Sequence, residues 1–227
     1  MMQFNGFSPE AQVFLQSLEQ NNNKSWFEQR RTEYEYLLLD PLRKLVMDLS
    51  ADMLEIDPEI EVRPVINKTI SRIYRDTRFS KNKSVFRSNM WISFKRPVRE
   101  WQALPTYFFE ITPTYYTYGM GFYEASPNTM QGFRERIDSN EALFRKVISF
   151  YPGDPPFSLE GKKYKRIFDP EKTDDIQTWY QRRNLYLICR REANNELFSV
   201  DLVQTLRERF LELADLYRFL MEISQAR

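Results

Sequence analysis

The chain has 227 residues and a formal net charge of +1, from 33 lysines and arginines against 32 aspartates and glutamates. This length is ample for one globular domain, and the 42% apolar and 15% aromatic content excludes a disordered chain. Histidine is absent, which excludes histidine zinc ligands, an imidazole general base and nucleophiles activated by histidine.

The single cysteine, Cys189, excludes an internal disulfide and a CxxC site, so a reducing compartment is expected. The N-terminal residues lack the basic flank and the apolar stretch of a signal peptide. The longest apolar runs, such as residues 36–39, are far shorter than the roughly 20 residues of a membrane span. We therefore expect a cytoplasmic protein that does not associate with membranes.

The first sixty residues have helical spacing. Apolar residues recur three and four positions apart over residues 11–18 and 42–53, and a further helix is expected around residues 26–34. A capping side chain before a proline can open a helix, because proline has no N–H to leave unsatisfied. Five such pairs occur, with the capping residues Ser8, Asp40, Asp57, Ser126 and Asp169. The pattern predicts an N-terminal helical part over about residues 8–56.

The middle of the chain changes to a period of two. Met90, Ile92 and Phe94 alternate with Trp91, Ser93 and Lys95. Residues 107–111 and 115–118 are rich in aromatic and β-branched residues. Residues 66–75 fit either a helix or a strand, and we favour a strand. Residues 185–190 predict one more strand. The connections are too short for crossover helices, so the sheet is expected to be antiparallel.

Helical spacing returns in the second half of the chain. Helices are predicted after Ser126 and after Asn140, and a last helix capped by Ser199 has apolar residues from 203 to 220 at nearly heptad spacing. That helix belongs to the core or supplies the face of a homodimer. Helices, then a sheet, then helices predict a single α+β domain over residues 1–227, with a mostly antiparallel sheet from residues 65–120 and 185–190.

The near-zero net charge hides a strong partition. Residues 1–62 have a net charge of −7, whereas residues 63–99 carry eleven basic residues and one acidic residue, Asp76. Arginine supplies a planar fork for oxyanions and lysine a mobile point charge, and Asp76 can hold neighbouring forks in place. The predicted ligand-binding residues are Arg72, Arg75, Asp76, Arg78, Lys81, Lys83 and Arg87.

The same segment also has a purely structural interpretation. The basic residues would then pair with the acidic N-terminal helices, and Arg72 and Asp76 would form an internal bridge. In either interpretation Asp76 is expected to be ionised and paired with an arginine, and its removal is expected to be costly if the pair is buried.

The run SRIYRDTRFSKNK at residues 71–83 resembles the signature of a family catalogued as domain of unknown function 2461. The resemblance extends over nearly the whole chain, through FNGF at 4–7, NNK at 22–24, GMGFY at 119–123 and Arg134. Two departures occur: Asn82 stands where an acid is expected, and residues 85–87 stand where Pro-Tyr-Lys is expected. The first makes the loop more basic. The resemblance implies no particular activity.

Two further features are candidates for ligand contacts. Gly119 and Gly121 form a Gly-x-Gly that lacks the context of a dinucleotide fingerprint, and a turn or bulge between strands is the favoured interpretation. A second basic cluster lies at residues 161–166, which would deepen an anion pocket if it folds beside the first cluster and would otherwise be a solvated hairpin.

Glu110 and Glu124 lie on or beside the aromatic strands. They are candidates for a general acid and base or for Mg²⁺ ligands, although ion pairs with the basic loop are favoured. Cys189 lies in an apolar strand and is expected to be a small core residue. No catalytic residue, cofactor or metal site follows from these patterns.

Three functions use the basic segment. The favoured hypothesis is a protein, enzymatic or not, that binds a small phosphate- or carboxylate-bearing ligand. A nucleic-acid-binding module ranks below it, with Tyr74, Phe79, Phe86 and Trp91 as stacking surfaces, because the pI of about 7.7 is below the value above about 9 typical of such proteins. The third is a module that meets an acidic protein partner.

Overall fold

The computed structural model describes residues 3–78, 83–151 and 156–225. Its helices are α1 (Pro9–Gln20), α2 (Lys24–Gln29), α3 (Arg31–Tyr34), α4 (Asp40–Ile56), α5 (Pro127–Ser139), α6 (Glu141–Val147), α7 (Asp174–Tyr180), α8 (Asp201–Glu212) and α9 (Ala214–Gln225). Its strands are β1 (Met90–Phe94), β2 (Pro105–Ile111), β3 (Tyr115–Phe122), β4 (Ser158–Glu160) and β5 (Tyr186–Glu192).

The five strands form one antiparallel sheet in the order β1-β2-β3-β5-β4, so the predicted α+β class is confirmed. In the β4–β5 pair Leu159 lies opposite Leu187. The sequence did not predict β4, because it has three residues and only Leu159 among them is apolar and buried. A single apolar residue gives no alternation to detect.

The predicted capping role of Asp40 is wrong, although α4 does begin at this residue. Asp40 has helical backbone angles (φ −67°, ψ −44°), and the helix continues into it from a π-helical turn, Glu35–Leu39. Pro41 has no N–H to donate to the Leu37 carbonyl group, and a wide turn is one way to accommodate its ring. The predicted cap Ser126 does accept a backbone hydrogen bond, from the Thr129 N–H. Asn140 also caps a helix, α6, by accepting from the Leu143 N–H.

Residues 69–78 run antiparallel to residues 83–93, and we call this pair of segments the basic ribbon. It is held by bridges such as Tyr74–Phe86 and by backbone hydrogen bonds, including Arg75 N–H to the Val85 carbonyl (2.9 Å) and Arg87 N–H to the Ile73 carbonyl (2.8 Å). The segment is therefore extended, as favoured, but outside β1 it pairs through isolated bridges instead of a regular strand.

A side chain from the α1–α2 loop anchors the basic ribbon. The Asn22 Nδ2 donates to the Phe86 carbonyl oxygen (3.0 Å), and the Phe86 N–H donates to Asn22 Oδ1 (2.9 Å). Below this pair, the ring of Phe27 stacks on Phe86 at 4.4 Å between centroids and meets Tyr74 at 6.1 Å. The acidic helical region thus holds the ribbon through an amide clamp and aromatic packing.

Gly119 and Gly121 lie inside β3, so the predicted turn or bulge is wrong. A Cβ on Gly119 would be 1.9 Å from the Leu187 carbonyl oxygen, and one on Gly121 would be 2.4 Å from Tyr186 Cα. The glycines therefore let the β5 backbone approach β3 closely. They leave no gap at this point for a ligand.

The single C-terminal helix that was predicted is two helices, α8 and α9, with Leu213 between them. The Leu213 N–H donates to the Phe210 carbonyl three residues earlier (3.2 Å), which tightens the chain at the break. The Ser199 hydroxyl accepts from Asp201 N–H (3.2 Å), as expected of a cap. Both sides of the break contribute buried apolar residues, Val203, Leu206, Phe210, Tyr217 and Leu220 among them. A homodimer through this region stays a prediction.

The chain forms two compact units. The first comprises Met1–Phe94, Phe108–Tyr118 and Arg190–Glu208, and contains the basic ribbon. The second comprises Lys95–Tyr107, Gly119–Cys189 and Arg209–Arg227. A single domain over the whole chain stays a prediction. Within the described residues, every helix is too short or too polar to cross a lipid bilayer.

The close approach of β3 and β5 is tested by Gly119→Ala. We expect the free energy of unfolding in urea to fall by about 3 kcal/mol, because the added Cβ forces the strands apart. The control is Gly132→Ala within α5, where alanine is the better helix former by about 1 kcal/mol. A Gly119→Ala protein as stable as the wild type would contradict the strand geometry.

Candidate functional site

The described end of the ribbon's first segment forms a cavity of about 440 Å³. Its lining residues are Arg72, Arg75, Asp76, Thr77 and Arg78, and we call it the arginine pocket. Arg72, Asp76 and Arg78 are exposed, so the cavity is open to solvent. Four of the predicted ligand-binding residues are thus brought together at one place.

Asp76 and Arg78 form a bidentate pair. Arg78 Nε donates to Oδ1 (3.0 Å), Arg78 Nη2 donates to Oδ2 (2.6 Å), and the Arg78 backbone N–H also donates to Oδ1 (3.1 Å). The Arg78 side chain, its backbone N–H and the charge of Arg72 hold the pKa of Asp76 well below its usual range. The expected pairing is therefore present, but with Arg78 instead of Arg72, and in a solvent-exposed setting.

Lys83 and Arg87 are placed at and beyond the edge of this pocket. Lys83 Nζ donates to the carbonyl oxygen of Thr77 (3.0 Å), which lines the cavity. The Arg87 guanidinium lies over the ring of Trp91, 4.8 Å from its centroid. Lys81 lies outside the described residues. Of the predicted set, four residues therefore line the pocket, Lys83 lies at its edge, and Arg87 packs on Trp91.

The pocket is suited to binding an anion. Arginine stays protonated at any physiological pH, and a guanidinium held by a carboxylate keeps a fixed orientation toward a ligand. Asp76 is the only acid among the five lining residues, and it is already engaged by Arg78. The lining residues therefore supply positive charge and hydrogen-bond donors to a ligand.

The aromatic residues of the ribbon do not form an open stacking surface. Phe86 is 1% exposed, and the ring of Trp91 is covered on one side by Arg87. Tyr74 is 38% exposed but packs against Phe27 and Phe86. Phe79 lies outside the described residues. Of the four expected stacking residues, the three that the structure describes therefore all contact other side chains of the fold.

Glu110 and Glu124 belong to different units. Glu110, half-buried on β2, accepts hydrogen bonds from Asn89 and from Thr117 Oγ1 (3.3 Å). Glu124 is exposed, and its backbone N–H donates to the Gln102 carbonyl (2.9 Å). Among the described residues, no three His, Cys, Asp or Glu side chains converge on a point where a metal ion fits. A role of Glu110 and Glu124 as an acid–base pair stays a hypothesis.

The second basic cluster, residues 161–166, lies in the second unit. Gly161 has a left-handed φ of +113°, and its carbonyl oxygen accepts from the buried Arg182 Nη1 (2.7 Å). Arg182 Nη2 donates to the Leu159 carbonyl (2.7 Å), so this guanidinium fixes the loop. No sequence pattern indicates that role for Arg182, because an arginine that becomes buried has the same pattern around it as an exposed one. Cys189 is buried in β5, at 3% exposure.

The chain belongs to the family of conserved hypothetical proteins DUF2461, whose family model matches residues 10–219. The resemblance carried by residues 71–83 and the flanking motifs is therefore confirmed. A comparison with curated proteins gave no match.

Because Asp76 is exposed, we expect its removal to change the stability of the fold very little. We expect Asp76→Ala to leave the urea unfolding midpoint nearly unchanged, because an exposed ion pair contributes little to stability. In contrast, Asn22→Ala should lower the free energy of unfolding by about 2 kcal/mol, since it removes both hydrogen bonds to the part-buried Phe86 backbone. The exposed neighbour Asn21→Ala serves as the control. Equal destabilisation by Asp76→Ala and Asn22→Ala would show that this assignment of roles is incorrect.

Proposed function

We propose that this member of DUF2461 binds a small ligand bearing a phosphate or carboxylate group in the arginine pocket. The observation that carries the proposal is the Asp76–Arg78 pair, two parallel hydrogen bonds that orient one guanidinium beside two more on a single cavity wall. Arginine forks match the geometry of these oxyanions, and a fork fixed in advance loses less entropy on binding.

The charge of the lining supports the same ligand class. Among the described lining residues, three arginines against one aspartate give a net charge of +2, and Lys83 lies beside the cavity. A concave surface of one sign raises the local concentration of an oppositely charged ligand. A cavity of about 440 Å³ is within the range of sites for small molecules.

The aromatic packing favours a small anion over a nucleic acid. Single-stranded nucleic acids bind to grooves in which bases stack on accessible rings. On the described ribbon Phe86 is buried and Trp91 carries Arg87 on its face. We therefore rank nucleic acid and an acidic protein partner below the small anion, as outcomes of the tests that follow. No catalytic residue or cofactor is assigned.

Glucose 6-phosphate tests the ligand class, with glucose as its uncharged counterpart. We expect the phosphate ester to raise the melting temperature of the wild type and glucose to leave it unchanged. Arg78→Ala should abolish the shift, because it removes the oriented fork. Arg43→Ala is the matched control, since Arg43 is also exposed and paired with an aspartate, Asp40 at 3.1 Å, but lies outside the pocket.

Other outcomes of that titration would reverse the proposal. A single-stranded oligonucleotide that binds while glucose 6-phosphate does not, with affinity falling by about one power of salt concentration per contact, would indicate a nucleic-acid surface. Binding of an acidic peptide alone would indicate a protein partner. A shift that survives in Arg78→Ala would place the phosphate elsewhere on the chain.

The pH dependence of binding separates phosphate from carboxylate ligands. The pKa of Asp76 lies well below its usual range, so this carboxylate keeps its negative charge between pH 5 and 8. A phosphate monoester gains its second negative charge at a pKa of about 6. We expect the affinity for glucose 6-phosphate to rise from pH 5 to 7.5 and that for a monocarboxylate such as gluconate to stay flat. A phosphate affinity that falls over this range would contradict the assignment.

A further inference from the structure

A second cavity in the first unit has the opposite chemistry to the arginine pocket. It has a volume of about 310 Å³, and we call it the acidic groove. The lining residues that matter here are Glu19, Ser88, Asn89, Glu110, Thr112 and Tyr115. Among the described residues that line it there is no lysine or arginine, although the chain has 33 basic residues.

The wall of the acidic groove is held by the turn between β2 and β3. Thr112 Oγ1 donates to the Tyr115 carbonyl oxygen (2.8 Å) and accepts from the Tyr115 N–H (3.1 Å). The buried Gln12 side chain donates to the Thr112 carbonyl oxygen (3.0 Å). The turn is thus pinned to α1 before any ligand arrives, so ordering it costs little binding energy.

The two carboxylates of the groove are served only by neutral donors. Glu110 accepts from the Asn89 amide and the Thr117 hydroxyl, and the Ser88 hydroxyl lies 3.5 Å from Glu19 Oε1. Over the described part of the chain, neither carboxylate has a lysine or arginine nitrogen within 4.0 Å. This differs from Asp76, which a guanidinium neutralises directly.

A half-buried carboxylate without a counter-charge is costly for a fold unless something compensates it. Glu110 is half-buried, whereas Glu19 is exposed at the rim. The guanidinium of Arg190 lies over the ring of the lining residue Tyr115, at 4.7 Å from the centroid. It forms no ion pair with either carboxylate. Within the described residues, Glu110 is therefore held by neutral hydrogen-bond donors and not by an ion pair.

The volume of the cavity leaves room for a small organic cation. One water molecule occupies about 30 Å³ of liquid, so 310 Å³ corresponds to about ten water molecules. In the residues that the structure describes, the groove also lacks a third acidic or soft ligand to complete a metal site. Hydroxyl and amide groups on the wall suit a cation that carries its own hydrogen-bonding groups.

We propose that the acidic groove binds a small organic ammonium ion that bears hydroxyl groups. Glu110 receives the ammonium group, and Glu19 supplies a second negative charge at the rim. Ser88 and Asn89 bind the hydroxyl groups of the ligand. This site is independent of the arginine pocket, since the two cavities share no lining residue.

Glucosamine is the probe, with glucose as a control of the same shape and no charge. We expect saturable binding of glucosamine by calorimetry at pH 6.5 and no binding of glucose. Glu110→Gln keeps the size of the side chain and one acceptor oxygen, and should weaken glucosamine binding at least tenfold. Glu19→Gln, at the exposed rim, should weaken it about threefold without risk to folding.

Matched variants show whether the effect is local. Glu55→Gln removes one exposed negative charge from α4, outside the groove, and should leave glucosamine binding unchanged. Arg78→Ala should also leave it unchanged, which separates this site from the arginine pocket. Equal binding of glucose and glucosamine, unchanged affinity in both Glu110→Gln and Glu19→Gln, or binding of Mg²⁺ alone would each overturn the proposal.

Discussion

The position of the basic ribbon depends on the two hydrogen bonds between the Asn22 carboxamide and the Phe86 backbone. An amide side chain pairs with a backbone group as a neighbouring strand would, so it satisfies a segment that the sheet leaves without a regular partner. Phe27 packs under the same residue, and so the strongly basic segment is attached to an acidic helical region by groups that carry no charge. The guanidinium groups of the ribbon are therefore not needed to hold it against the helices.

That arrangement concentrates positive charge around one carboxylate. Asp76 orients Arg78 but neutralises only part of the surrounding charge, which leaves the arginine pocket positive and open. In the same unit, Glu110 and Glu19 line a cavity whose described residues include no lysine or arginine. The described part of the first unit therefore presents two concave surfaces of opposite charge. A chain with a net charge of +1 conceals both.

The family motifs acquire physical roles in the fold. Asn22 anchors Phe86, and Asn23 caps α2 by accepting from the Trp26 N–H (3.0 Å). Gly6 has φ +100°, and a Cβ there would be 2.4 Å from the Phe198 carbonyl oxygen. Gly119 is likewise required by backbone contact, with β5. In this chain these motif positions serve packing and capping, so a motif match alone says little about which side chains meet a ligand.

The sequence by itself determined the α+β class, the helical ends, the antiparallel sheet and the segment that carries the positive charge, because each follows from local periodicity or composition. It could not show that Asp76 pairs with Arg78 and not with Arg72, since this depends on the backbone turn at residues 76–78. Nor could it show that the Arg87 guanidinium packs on the ring of Trp91. It also could not show that Glu19, Asn89 and Glu110 line one cavity. Residues so far apart along the chain meet only when α1, the ribbon and β2 are packed, and the energy that brings them together comes from the core and not from the site.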